Sequence, residues 1–387
     1  MKIFDILRKI RKDFSPYENS IEVLIFRDNL LHNLNEYKNR FPDFSFAPVL
    51  KSNAYGHGLL EVAKILDKEK VPFFAVDSLY EARLLKAKNI KKDILIIGYT
   101  RLENLSRFNS SQFIFTIVSL AELKRLSENF SKSKKLRIHI KIDTGMHRQG
   151  VLIDEIDEAI GILKNNKNLN LEGICSHLAD ADSEEKSFTQ SQIENWKKVV
   201  NKFKNNFSDI KYFHTSATAG TFYNQKDFGN VIRLGIGLYG INNSPFLDMN
   251  LKPAMRVESV VSTIRNLKKG ESVGYNHTHT LDRDSKVATV PMGYFEGIDR
   301  RLSNIGSFKI GEKYCDILGR VSMNMSSVDV TELPDLNLDD KVIVLSEILD
   351  DKNSVVNLAK LANTIPYDIL VNIMPHLKRR IIGNYEK

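Results

Sequence analysis

Pro48-Val49-Leu50-Lys51-Ser52-Asn53-Ala54-Tyr55-Gly56-His57-Gly58 is the stretch around which the chain is organised. The apolar run from Phe46 to Leu50 reads as a buried strand. It stops at a lysine, small polar residues and two glycines follow, and a helical pattern starts at Leu59. Lys51 therefore sits where a strand hands over to a loop. In a barrel of parallel strands that is the face where chemistry is done. The flanks of the lysine are apolar and small, Tyr55 follows four residues later, and the glycines let a ligand approach the backbone. A lysine partly withdrawn from water has a depressed pKa, which suits it to form a Schiff base.

The same rhythm repeats outward from this stretch. Strand-like runs occupy 46–50, 72–76, 94–97, 113–118, 136–142, 171–175, 211–214 and 231–233. Segments of helical spacing lie between most of them, at 59–66, 78–87, 119–130, 154–163 and 183–203. This alternation implies parallel strands with crossover helices. Eight such strands predict an α/β fold, a closed (β/α)8 barrel of the TIM type, with an open doubly wound sheet as the rival architecture. Upstream, Ile21–Phe26 reads as a strand and Asp28 as the cap of a helix running to about Arg40. After Gly240 the rhythm changes. Strand-like runs joined by turns follow at 257–267, 286–291, 307–309, 314–318, 326–330 and 341–345, and helical segments at 355–362 and 366–374 close the chain. The expected organisation is an N-terminal extension (1–20), a barrel (21–250) and a mostly β C-terminal domain (251–387). In the extension, Ile3, Phe4, Ile6, Leu7 and Ile10 share one helical face, which predicts a short helix docked on the protein's own surface. It lacks the continuous apolar core of a signal peptide.

Composition narrows the function. The chain has 387 residues, 42% apolar and 27% charged, an ordinary globular balance. No apolar run reaches the roughly 18 residues needed to span a bilayer. Cys175 and Cys315 form no CxxC pair, which fits a reducing cytoplasm. The formal charge of +8 comes from lysines spread over many helical faces, so no nucleic-acid partner is expected. A basic surface still draws in anionic ligands. His277 and His279 have no third ligand at suitable spacing, so no metal site is expected.

Counted from Phe46, the segments after the seventh and eighth strands are where such barrels commonly bind phosphate. They read His214-Thr215-Ser216-Ala217-Thr218-Ala219-Gly220 and Arg233-Leu234-Gly235-Ile236-Gly237-Leu238-Tyr239-Gly240. Exposed backbone amides at such loops cradle phosphate well. Gly235, Gly237 and Gly240 also match GxGxxG, but Asn242, Asn243, Ser244 and Pro245 follow where a dinucleotide site would open a helix.

The motif V-L-K-S-N-A-Y-G-H-G resembles the cofactor-lysine motif of alanine racemases, and further motifs recur in that family's order over about residues 45–387. The resemblance implies pyridoxal 5'-phosphate as cofactor, held by Lys51, which also serves as one of two bases. It implies that Tyr55, Thr218, the backbone of Gly235 and Ile236, and Tyr367 hold the phosphate. His177 would lie against the cofactor ring and Arg233 would face the pyridine nitrogen. In Lys141-Ile142-Asp143-Thr144-Gly145-Met146-His147-Arg148, Arg148 would bond the cofactor phenolate and the substrate carboxylate, and Lys141 would be open to carbamylation. Tyr275 would be the second base, Tyr294 the substrate-access tyrosine, and Met323 the residue whose amide meets the carboxylate. A homodimer with active sites shared between subunits is implied, Tyr275 coming from the partner. The implied activity is racemisation of L- and D-alanine in the cytoplasm, supplying D-alanine for peptidoglycan. Departures from the family pattern are Ala217-Thr218 in place of asparagine-serine, and Glu296 and Asn324 in place of aspartates.

Racemisation removes an α-proton and returns one on the opposite face, so a lysine and a tyrosine on opposite sides make sense. Arg233 bears on the rival functions. A guanidinium donates to a ring nitrogen without protonating it, which weakens the ring as an electron sink and suppresses side reactions. A related barrel decarboxylase would want an acid there. A non-enzymatic cofactor carrier would lack the second domain. Racemisation of serine or of a broader set of amino acids stays open.

Overall fold

The computed structural model describes residues 17–108, 110–130 and 135–383. The helix expected within residues 1–20 falls almost wholly outside them.

Eight parallel strands lie where the apolar runs predict them. They are β2 (Ser45–Pro48), β3 (Phe74–Val76), β4 (Ile94–Ile96), β5 (Phe113–Ile117), β6 (Leu136–Lys141), β7 (Leu169–Cys175), β8 (Tyr212–His214) and β9 (Val231–Leu234). β3 to β8 pair in sequence order, and β2 pairs with β9. The two sheets meet on both sides. Leu50 N–H donates to Ala75 O at 2.7 Å, and Asn230 N–H donates to Phe213 O at 3.0 Å. The ring is thereby closed. β3, β4 and β5 are buried along their whole length, as strands covered on both faces must be. Inside the barrel, Ala47, Phe73, Leu95, Ile114 and Val231 form an apolar floor. Polar side chains come above it, toward the C-terminal ends of the strands.

Helices cover the outside: α1 (Arg27–Arg40), α2 (Leu59–Leu66), α3 (Leu79–Ala87), α4 (Leu102–Arg107), α5 (Leu120–Asn129), α6 (Ile156–Asn165) and α7 (Ser187–Asn206). α2 buries Leu59, Val62, Ala63 and Leu66, the i, i+3, i+4, i+7 stripe of an amphipathic helix. Ser78 and Glu81 make a capping box at the start of α3. α1 starts at Arg27, so Asp28 lies in its first turn and is not its cap. After β8 and β9 the chain makes only short 3-10 turns, at Ala219–Tyr223 and Ile236–Tyr239. α1 closes that side instead, with Asn33 Nδ2 donating to Leu238 O and Lys252 O.

The second domain is mostly β. Its large sheet runs β16 (Lys313–Asp316), β15 (Ser307–Ile310), β18 (Lys341–Leu345), β10 (Met255–Val260), β1 (Glu22–Phe26) and β19 (Arg379–Ile382). A smaller sheet holds β11 (Thr263–Leu267), β14 (Ser285–Val290) and β17 (Ser326–Asp329), and β12 (Ser272–Val273) pairs with β13 (His279–Thr280). Two features differ from the expectation. β1, expected in the barrel segment, pairs antiparallel with β10 and parallel with β19. The single strand expected over 257–267 is split. At the break Val261 N–H donates to Asp340 O and Ser262 N–H to Thr289 O, so the chain changes sheets. α8 (Val355–Leu361) and α9 (Pro366–Val371) complete the domain. Among the described residues no helix is long and apolar enough to cross a membrane.

The two domains meet at the lysine loop. The Arg379 guanidinium, just inside β19, donates to Gly56 O at 2.7 and 3.0 Å. Gly56 has φ +79°, and a Cβ there would lie 2.0 Å from Leu370 O in α9. Gly270 has φ +90° but open space around it. Gly270→Ala should therefore lose only the left-handed strain, about 1 kcal/mol, whereas Gly56→Ala should lose more than about 2 kcal/mol from strain plus clash. Urea unfolding midpoints of the two variants check this. Equal losses would show that the α9 contact yields freely.

Candidate active site

Lys51 follows directly on the first barrel strand. After it, Ser52, Asn53, Ala54 and Tyr55 all have left-handed φ, at 56, 56, 53 and 52°. The loop is held at both ends. Asn53 Oδ1 accepts from Leu59 N–H at 2.9 Å, and Ala54 N–H donates to Leu50 O at 2.8 Å. This turn brings Lys51 and Tyr55 to the same cavity of about 550 Å³ at the C-terminal end of the barrel.

The cavity gathers ten of the sequence-predicted residues: Lys51, Tyr55, Lys141, Arg148, His177, Thr218, Arg233, Gly235, Ile236 and Tyr367. Four of them are cations. Burial lowers the pKa of Lys51; Asp77 opposes this, and Arg148 and Arg233 add to it. Lys141 is lowered in the same direction, chiefly by burial. Arg148 rides on a loop whose ends are tied by Asp143 N–H to Val151 O and Val151 N–H to Lys141 O. Asp143 Oδ1 also accepts from the amides of Gly145 and His147.

At one end of the cavity the groups suit an anion. Thr218 Oγ1 accepts from the amides of both Gly235 and Gly237 at 3.2 Å. A Cβ at Gly235 would sit 2.9 Å from Tyr55 Oη, so a side chain there would fill the cradle. Tyr367 Oη accepts from Asn243 Nδ2 at 3.2 Å, and its ring lies 5.8 Å from that of Tyr55. Burial pushes the Tyr367 phenol up to about 12 and raises that of Tyr55 further, so both stay protonated donors near neutrality.

Arg233 lies deeper. Its guanidinium donates to the carbonyls of His214 (2.7 Å), Ser176 (2.7 Å) and Thr215 (2.9 Å). It also faces His214 Nδ1 at 2.6 Å and His177 Nδ1 at 3.2 Å. A guanidinium only donates, so those two nitrogens are assigned as acceptors. The His214 proton then sits on Nε2 and is shared with His139 Nδ1 at 2.9 Å. Burial first, then Arg233, drives His214 and His177 well below the usual imidazole range, and burial holds His139 at about 3. The imidazoles are neutral and the arginine carries the charge.

Three predicted residues lie elsewhere. Tyr275, Tyr294 and Met323 are in the second domain, 66%, 41% and 55% exposed, and none lines this cavity. Their loops are stitched together. Phe295 N–H donates to Met323 O, Gly319 N–H to Asn304 Oδ1, and Asn304 Nδ2 to Thr278 O. The sequence reading missed His139 and Asp77, and it named His214 and Cys175 without giving either side chain a role in the cavity. A period-two signal was present for one of them. His139 is two residues before Lys141 on β6 and so shares its inward face.

Residues 25–243 match the family model of the alanine racemase N-terminal domain, and residues 254–381 that of the alanine racemase C-terminal domain. The alanine racemase of Borreliella burgdorferi (strain ZS7) is 33% identical over 373 residues, 93% of this chain and 96% of that one. That of Fusobacterium nucleatum is 36% identical over 339 residues, 85% and 92% of the two chains. Among solved structures, the alanine racemase of Clostridium difficile 630 superposes with a TM-score of 0.87 at 31% identity, covering 95% and 97% of the two chains. The Bacillus anthracis alanine racemase with bound L-Ala-P gives 0.88 at 28% identity, covering 96% and 97%.

Reductive methylation by formaldehyde and cyanoborohydride acts on neutral amines. A lowered pKa means more neutral amine at a given pH, so Lys51 and Lys141 should be methylated ahead of exposed Lys64 and Lys360 at about pH 7.5. The lead should shrink toward about pH 10.5, where about half of the free lysines are also neutral. Peptide mass spectrometry reads the order. Lys51 labelling no faster than Lys64 at the lower pH would contradict the depressed amine.

Proposed function

The chain belongs to the alanine racemase family, and from that premise we propose that it interconverts L- and D-alanine on pyridoxal 5'-phosphate, with Lys51 and Tyr275 as opposed bases. The observation that carries this reading is the position of Lys51. A low-pKa amine lines the same cavity as the anion-suited groups of Thr218, Gly235, Tyr55 and Tyr367 and the buried Arg233.

The residues fit the cofactor. Thr218, the Gly235 amide, Tyr55 and Tyr367 suit its phosphate, Arg233 its pyridine nitrogen, the His177 ring its flat face, and Lys51 its aldehyde. Ile236, at the start of the 3-10 turn after Gly235, would lend its amide as well. When bound, the cofactor withdraws electrons and acidifies the α C–H of the amino acid joined to it. Arg233 would donate to the ring nitrogen and keep its own proton. Among the described residues no carboxylate is bonded to its guanidinium, and the imidazoles it faces are already assigned as acceptors. This moderates the electron sink and disfavours transamination or decarboxylation. Lys51, being neutral in a larger share of molecules, accepts a proton from one face.

Arg148 would take the substrate carboxylate from the cavity side, and the Met323 amide would meet it from the partner. Tyr275 of a second subunit would face Lys51 across the substrate, with Tyr294 narrowing access. Lys141, a low-pKa amine, is suited to attack carbon dioxide, and the resulting carbamate would hold Arg148. Intact-mass measurement of a digest in bicarbonate reads that modification. The role proposed in the cell is cytoplasmic supply of D-alanine for peptidoglycan. Chiral chromatography after incubation with a panel of L-amino acids separates alanine from serine or a broader range.

A shared site makes a specific prediction. Lys51→Ala should lose the visible absorbance of bound cofactor, and Tyr275→Phe should keep it, yet both homodimers should racemise poorly. A hybrid carrying one subunit of each, isolated by two different tags, has one complete site and should regain about half of the wild-type rate. If both bases came from one chain, the hybrid would stay as inactive as its parents.

A further inference from the structure

The two loops that carry Tyr294 and Met323 touch over their backbones. Tyr294 N–H donates to Ser322 O at 3.0 Å, and Phe295 N–H to Met323 O at 2.9 Å. The contact is close enough that a Cβ at Gly293 would lie 2.2 Å from Ser322 O and 2.5 Å from Met323 O. One buried side chain spans the junction. Glu296 is 6% exposed, and both of its carboxylate oxygens are used. Oε2 accepts from the Gly293 amide at 2.9 Å, within its own loop. Oε1 accepts from Asn324 Nδ2 at 2.6 Å, in the other loop and next to Met323. The carbonyl of Glu296 also accepts from Met374 N–H, beyond α9.

We propose that Glu296 and Asn324 form a positioning clamp that locks the loop of Tyr294 to the loop of Met323, so that both reach a bound amino acid in one fixed geometry. The inference rests on the roles proposed above for Tyr294 and Met323. It goes beyond them in assigning work to two residues that touch neither cofactor nor substrate. The chemistry of the pair is specific. Asn324 must present its amide nitrogen, because the carboxylate only accepts. A hydrogen bond to a charged acceptor is about twice as strong as a neutral one, and Glu296, being buried, has no ready water to turn to in place of Asn324. An aspartate at 324 would set two carboxylates against each other, one of which would then hold a proton to a raised pH.

Three variants test the clamp: Glu296→Gln, Asn324→Ala and Asn324→Asp. Amide hydrogen exchange of the peptides covering 291–297 and 320–326 reads the clamp directly, whether or not the protein racemises. In Glu296→Gln and Asn324→Ala the protection of both peptides should fall while the barrel peptides stay protected. Racemisation kinetics read the consequence. KM for alanine should rise about tenfold in those two variants, with kcat changed less, as expected when a groove that holds substrate loosens. Asn324→Asp should resemble the wild type at about pH 5, where a shared proton restores the bridge, and fall behind as the pH rises to about 8. Retained protection, or wild-type KM and kcat in all three variants, overturns the clamp. A lower melting temperature with unchanged kinetics overturns it too, since that is a purely structural role. If the wild type racemises nothing while protection collapses in the variants, the clamp stands and the functional reading falls.

Discussion

The lysine loop is held in a backbone that it would not adopt alone. Four consecutive non-glycine residues, Ser52 to Tyr55, are left-handed, at about 1–2 kcal/mol each for side chains of this kind. Bonds within the barrel hold the loop, and a further hold comes from outside it. Arg379 reaches over from the second domain and donates to the carbonyls of Gly56, Ile373, Met374 and Leu377. It thereby ties the end of the loop to the segment after α9. Burial lowers its pKa, which measures how far the guanidinium has been withdrawn from water. The orientation of Lys51 at the barrel mouth is thus a property of both domains, although every residue of the cavity except Tyr367 belongs to the barrel.

The second constraint is electrostatic. Lys51, Lys141, Arg148 and Arg233 share one cavity, and their mutual repulsion disfavours the site without a ligand. An anion at the Thr218 end and a carboxylate at Arg148 relieve that repulsion, so the charge that destabilises the bare cavity also selects what enters it. Arg233 is treated differently from the other three. Carbonyls and neutral imidazoles surround its guanidinium, and among the described residues no carboxylate is bonded to it. A carboxylate would bring a proton that could move. Carbonyls cannot, and so the position proposed to face the ring nitrogen carries a fixed positive charge that transfers nothing.

Much of this was legible in the residues, for physical reasons. A strand buried on both faces must be apolar along its length, so the runs at 74–76, 94–96 and 113–117 announced themselves. The anion cradle was placed by counting strands, because loops after the seventh and eighth strands share one rim of the barrel. What failed to show was non-local. β1 reads as a strand from Val23, Leu24 and Ile25, but nothing in those residues names β10 and β19 as its partners. β19 itself, Arg379-Arg380-Ile381-Ile382, hides behind two arginines that are spent on Gly56 and Glu22. The His139–His214 pair joins strands 75 residues apart, and only the inward parity of each strand hints at it. The left-handed turn was invisible for another reason: Ser, Asn, Ala and Tyr in a row carry no glycine to signal it.

The second domain poses the remaining question, which is what its exposed face is for. Tyr275, Tyr294, Phe295, Ile305, Met323 and Met325 are all at least 41% exposed. The loops that carry them are joined by hydrogen bonds into one surface. Isolated apolar residues on a surface need no account, but a joined group of this size marks something that covers it. On the proposed reading the same loops carry the Tyr275 phenol and the Met323 backbone amide that complete the cavity, which neither residue lines. On the proposed reading the cavity that this surface completes belongs to a second copy, and the contact between copies can then run one way or be reciprocal. Run one way, each chain covers the next, and a bare cavity remains at the end of the row unless a ring closes. If it is reciprocal, a two-fold axis closes the pair, and both cavities are completed by one kind of interface. On the proposed reading only a closed assembly leaves no half-built site, and the two-fold pair closes with the fewest chains, which ties the chemistry to symmetry.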